Sequence, residues 1–100
     1  MLEKFITESP QDPFPRYGLA MELKNAGRLE DAAKVFATLL DRFPDYVPAF
    51  LHAGNVAREL GDRERAEEIY RAGIAAAARK TDPHAKGELE AALMDLGVVT

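Results

Sequence analysis

Apolar residues recur along this chain at helical spacing, in blocks of helix length separated by turn residues. Leu19 and Leu23 form one set. Leu29, Ala32, Ala33, Phe36, Leu39 and Leu40 form a second, and Phe50, Ala53 and Ala57 a third. Ala66, Ile69, Tyr70 and Ile74 follow, then Leu89, Leu93 and Leu96. No stretch alternates with period two for long enough to make a strand. The breaks fall at Pro10, Pro13 and Pro15, at Gly27, at Pro44 and Pro48, at Gly61, at Asp82-Pro83 and at Gly97. Several starts carry capping chemistry. Asp12-Pro13 and Asp82-Pro83 each put an acceptor before a proline suited to the first helical position, and Asp62 follows Gly61 in the same role.

The blocks are related to one another. Shifted by 34 residues the chain matches itself: Gly27 falls on Gly61, Glu30 on Glu64, Ala32 on Ala66, Val35 on Ile69, Phe36 on Tyr70, Leu40 on Ile74, Lys24 on Arg58 and Ala20 on Gly54. At the same offset Pro10 falls on Pro44, and Phe5 and Ile6 fall on Leu39 and Leu40. The opening segment therefore reads as the tail of a preceding repeat.

This period and its residues resemble the tetratricopeptide repeat, a helix-turn-helix unit of about 34 residues. In that family a small residue lets the two helices cross closely, a second small residue sits in the second helix, an aromatic follows four residues later, and proline ends the unit. Ala20, Ala32, Phe36 and Pro44 fill these places first, and Gly54, Ala66 and Tyr70 fill three of them again. Ala78 stands where the second proline would be, which predicts that the last helix of that repeat runs on to Arg79 or Lys80. The first-helix aromatic of the family is matched by Phe50 but replaced by Arg16 in the earlier repeat.

The resemblance implies an all-α fold, an antiparallel helix-turn-helix solenoid of about six helices stacked as a short right-handed arc. The expected organisation is a single domain over 1–100: a partial N-terminal helix at 1–9, repeats at 13–46 and 47–80, and a capping helix at 83–97. Leu96-Gly97 repeats the Leu60-Gly61 ending two residues late, as an insertion before the last helix would produce. Polar Lys86, Glu88, Glu90 and Asp95 suit a closing helix with one face in water.

Composition narrows the function. One hundred residues hold one core, and the Ala- and Leu-rich apolar set favours closely packed helices. The net charge of -4 gives no reason to expect a nucleic-acid backbone as partner. The longest apolar run, Ile74 to Ala78, is far short of the ~20 residues a membrane span needs. The amphipathic, acid-bearing start differs from a secretory signal, and the absence of cysteine suits a reducing compartment, so the cytoplasm is the expected location.

Catalytic constellations are missing from the pattern. His52 and His84 lie on different helices with no metal-ligand spacing, Ser9 is the sole serine and sits in a proline-flanked turn, and Gly27, Gly54 and Gly61 are too far apart for a phosphate loop. Glu64, Glu67 and Glu68 interleave with Arg63, Arg65 and Arg71 as on a solvated face. No enzyme activity, metal or cofactor is expected.

The resemblance implies instead a protein or peptide partner on the concave surface made by the first helix of each unit. The corresponding positions are Tyr17, Met21 and Lys24 in the first repeat and Leu51, His52, Asn55 and Arg58 in the second. Tyr17, Met21 and Leu51 would supply apolar contact, Asn55 would serve a peptide backbone, and Lys24 and Arg58 would favour acidic side chains or a terminal carboxylate. The plainer alternative is that the apolar members simply pack against neighbouring helices. A different function class is self-assembly as a homodimer, through ends bearing Leu2, Phe5, Ile6, Val98 and Val99.

Overall fold

Each aspartate singled out above caps a helix. Asp12 Oδ1 accepts from the Phe14 amide at 3.0 Å, Asp62 Oδ1 from Arg65 at 3.1 Å and Asp82 Oδ1 from Ala85 at 3.0 Å. The computed structural model describes residues 11–98. Within them the helices are α1 (Pro13–Asn25), α2 (Leu29–Arg42), α3 (Pro48–Glu59), α4 (Arg63–Arg79) and α5 (Pro83–Asp95). The sixth helix expected at 1–9 lies outside the described residues, as do Leu2, Phe5, Ile6 and Val99. The second helix of the second repeat does run on to Arg79, consistent with the missing proline at Ala78.

Three helices end alike. After α1, α3 and α5 a glycine takes a left-handed backbone, with φ of 79° at Gly27, 83° at Gly61 and 88° at Gly97. The following amides fold back to close the helix, Arg28 to the Leu23 carbonyl and Asp62 to that of Ala57. The end of α4 makes the same turn without a glycine: Thr81 adopts φ 54° while the Asp82 amide reaches the Ala77 carbonyl.

Neighbouring helices pack in chain order, α1 on α2, α2 on α3, α3 on α4 and α4 on α5. In addition α3 touches both α1 and α5, whereas the backbones of α2 and α4 stand further apart. Contact along the first-type helices and separation of the second-type helices bend the stack, so that α1, α3 and α5 line its inner side. The core runs continuously through the repeats: Ala20, Ala32, Phe36 and Leu39, then Phe50, Val56, Ala66 and Tyr70, then Leu89 and Leu93. Each large side chain here contributes about 1.5–3 kcal/mol through removal from water. Among the described residues no polar or charged residue is buried apart from the ring of Tyr70.

Small residues set the spacing. A Cβ built on Gly54 would collide with the Tyr70 ring, and one on Gly73 would stand 2.6 Å from Phe50 Cβ and 2.9 Å from Leu89 Cδ1. Gly73 therefore lets α4 lie against α3 and α5 together. At the surface, Arg79 Nη2 meets Asp45 Oδ1 at 2.7 Å, joining the turn after α2 to the end of α4.

Candidate functional site

The seven expected groove residues stand on α1 and α3, the two first-type helices that touch each other. Tyr17, Met21, Lys24, Leu51, His52 and Asn55 are half-buried, and Arg58 is exposed. Tyr17, Met21 and Leu51 use part of their surface against the core. The structure groups five of the set into two clusters, Tyr17 with His52, and Lys24 with Asn55 and Arg58.

The first cluster is aromatic. The Tyr17 ring lies edge-on to Tyr46, with centroids 5.5 Å apart, and tilts over His52 at 6.2 Å. Burial raises the Tyr17 and Tyr46 hydroxyls above their usual pKa, and at Tyr46 the neighbouring Tyr17 and Asp12 add to this. Burial lowers the His52 imidazole, Lys24 lowers it further, and Glu88 opposes them as the smallest of the three influences. His52 Nδ1 is shielded from water and has no hydrogen-bond partner among the described residues.

The second cluster is polar. Lys24, Asn55, Arg58 and Glu59 line an open depression of about 460 Å³ at the C-terminal ends of α1 and α3. Beneath it the buried Tyr70 donates its hydroxyl hydrogen to Asn55 Oδ1. Burial raises the Tyr70 hydroxyl, while the Arg58 guanidinium beside it pulls the other way. Among the described residues no carboxylate lies within ion-pairing distance of Lys24 or Arg58.

Two contributors were not anticipated. Tyr46 comes from the turn between repeats, and nothing in its local sequence points it at Tyr17. Tyr70 was counted only as a core ring, yet comparison of the repeats carries a signal: where the second has Tyr70 and Asn55, the first has Phe36 and Met21. A hydroxyl and its acceptor appear together or not at all.

Elsewhere among the described residues the surface carries ion pairs and an apolar depression. The face of α4 holds Arg65–Glu68 at 3.5 Å and Arg71–Glu67 at 3.0 Å, exposed pairs within one helix. On the outer side, where α2 and α4 diverge, a depression of about 470 Å³ is floored by Leu40, Phe50 and Ile69. Among the described residues there is no cluster of metal-ligating side chains, and no helix is long and apolar enough to cross a membrane.

The sequence profile of the tetratricopeptide repeat matches residues 23–93. The chain belongs to the tetratricopeptide-repeat family. Its solved structural relatives agree. A tetratricopeptide repeat domain protein from Salinibacter ruber, determined in solution, superposes with a TM-score of 0.81 at 31% identity, over 87% of this chain and 88% of that one. A crystal structure of a tetratricopeptide repeat domain protein from the same organism gives 0.81 at 30% identity, over 86% and 97%. A protein from Bordetella parapertussis, also solved in solution, gives 0.80 at 25% identity, over 96% and 84%. No curated protein matches the chain. Tetratricopeptide-repeat folds are in general protein-interaction scaffolds without catalytic activity of their own.

Proposed function

We propose that this chain is a non-catalytic interaction module that holds a peptide segment of a partner protein along its inner face, against Tyr17, Met21, Lys24, Leu51, His52, Asn55 and Arg58. The observation that carries this reading is the placement of those side chains on two helices in mutual contact, six of them half-buried, with Lys24, Asn55 and Arg58 lining one open depression. Side chains already held by a rigid scaffold lose little conformational freedom on binding, which favours recognition of a flexible peptide. The absence of cysteine supports a cytoplasmic setting.

The test is selection from a displayed peptide library, comparing the natural chain with the Tyr17→Ala, Leu51→Ala, Asn55→Ala variant after circular dichroism has established equal helicity. Peptides enriched by the natural chain and lost on the variant support the inner face as the site. Equal enrichment by both removes it.

Self-association is a second reading, favoured by two exposed apolar side chains far apart along the array. Phe14 is 65% exposed on the first described helix and Met94 71% exposed on the last. Sedimentation over a range of concentrations decides it: a mass that rises with concentration and falls back on Met94→Glu supports assembly, and a constant monomer mass eliminates it.

A further inference from the structure

We infer that the outer groove between α2 and α4 is a second interaction surface, and that its occupant is a basic amphipathic helix of a partner protein; this is independent of the inner-face reading above. The groove holds about 470 Å³ over an apolar floor of Leu40, Phe50 and Ile69. It deepens into a cleft of about 40 Å³ beside Phe36, Ala53 and Ala57. Its walls are short side chains, Ala37 on α2 and Ala72 and Ala75 on α4, and all three are exposed. The longest apolar run of the chain lies here. Between Arg71 and Arg79 α4 carries no charged side chain, whereas its first half bears Arg63, Glu64, Arg65, Glu67 and Glu68. The bend of the stack accounts for a gap between two second-type helices. It does not account for the uncharged second half of α4.

Walls of this kind accept a helix rather than an extended segment. The backbone donors and acceptors of α2 and α4 are consumed within those helices, so a strand laid between them would lose water from its peptide groups and gain no partners. A helix brings its own backbone bonds. Packed helices need axes about 8–10 Å apart, and alanine walls permit that approach to α2 and α4 together. Along α4 the lining extends from Arg65 to Arg79, about 21 Å or four turns, which suits a helix of about 15 residues.

Charge decides the composition of that helix. Both arginines at the groove are engaged, Arg79 with Asp45 at 2.7 Å and Arg65 with Glu68 at 3.5 Å. Asp41, toward the Arg79 end, has no cation within ion-pairing distance among the described residues. At Arg65 and Glu68 the groove opens onto the start of α4, where Asp62, Glu64, Glu67 and Glu68 outnumber Arg65 and Arg71. Glu64 is likewise without an ion-pair partner among the described residues. Uncompensated carboxylates toward both ends of an apolar floor select a helix with apolar side chains along one face and lysine or arginine at both ends.

The experiment is a titration of the methyl-labelled chain by nuclear magnetic resonance with two acetylated, amidated model helices of about 15 residues. Both carry leucine at every third or fourth position, and one has lysine at each end where the other has glutamate. The expected result is saturable movement of the Ala37, Ala72 and Ala75 methyls by the lysine helix, with about tenfold weaker binding of the glutamate helix. Ala72→Glu separates insertion from general attraction to an acidic chain. Ala72 is exposed, so the fold should tolerate the change; the added carboxylate would strengthen a non-specific attraction, yet it fills the groove and should weaken the lysine helix about tenfold. Asp41→Asn should narrow the preference for lysine without moving the site. Equal binding of the two helices, or tighter binding to the Ala72→Glu variant, overturns the proposal. So does movement confined to Tyr17 and Leu51, which would instead support the inner face. Absence of saturable movement from either helix overturns the outer groove and leaves the inner-face reading standing.

Discussion

Tyr70 reaches from the second helix of its repeat and donates its hydroxyl hydrogen to Oδ1 of Asn55 on the first, a bond with no counterpart in the preceding repeat, where Phe36 and Met21 hold the same places. The polar pair and the apolar pair are alternative solutions to one packing problem. In both a ring fills the core between paired helices. Only in the second does the ring also set the direction of a side chain on the facing helix.

This makes a double-mutant cycle informative. Phe36→Tyr alone should destabilise the chain by about 1–3 kcal/mol, because Phe36 is buried and Met21 cannot accept a strong hydrogen bond. Adding Met21→Asn should recover part of that loss. Urea denaturation of the four proteins measures the coupling, and strict additivity would show that the hydroxyl finds water or another acceptor.

Two glycines within helices should respond oppositely to alanine. Gly54→Ala drives a methyl into the buried Tyr70 ring and should cost about 1–3 kcal/mol despite the better helix propensity. Gly87 sits in α5 with nothing near its missing Cβ, so Gly87→Ala should stabilise by about 0.5–1 kcal/mol. Thermal melts of both variants give the signs directly.

Thr81 occupies the left-handed position that glycine holds at three other helix ends. A β-branched residue is strained there, so Thr81→Gly should raise stability by about 1 kcal/mol. An unchanged or lower denaturation midpoint would mean that the greater freedom of glycine in the unfolded chain outweighs the relief.

His52 should make stability depend on pH. Burial and Lys24 place its folded pKa below the ordinary 6.5, so the unfolded chain binds the proton more readily. The contribution is intact above that ordinary value. It is lost as pH falls through it, and the loss is complete below the folded value. Tyr17, Lys24 and Glu88 are the neighbouring groups that bear on it, with Glu88 moderating the effect. Comparison of His52→Gln with the natural chain from about pH 8 to pH 5 should show a shallower fall for the variant, and parallel curves would remove His52 as the cause.

Much of this molecule can be read without coordinates. Helix existence followed from the spacing of Phe36, Ile69, Leu93 and their neighbours, and helix ends from Asp12, Asp62 and Asp82 with Gly27, Gly61 and Gly97. These are local effects, in which caps and left-handed turns involve residues two to five apart, so the order of residues is enough to express them. The self-match at 34 residues extended that local reading to the whole stack, because each repeat meets its neighbour through the same faces. The seven residues proposed for the inner face could be listed from the sequence as positions on the first-type helices. Their grouping into an aromatic and a cationic cluster could not. Tyr46 reaches Tyr17 from a turn far along the chain, and Asn55 takes its orientation from a hydroxyl 15 residues away on another helix. Such relations depend on how closely two helices cross, and that distance is set by the ring of Tyr70 lying on the bare backbone of Gly54.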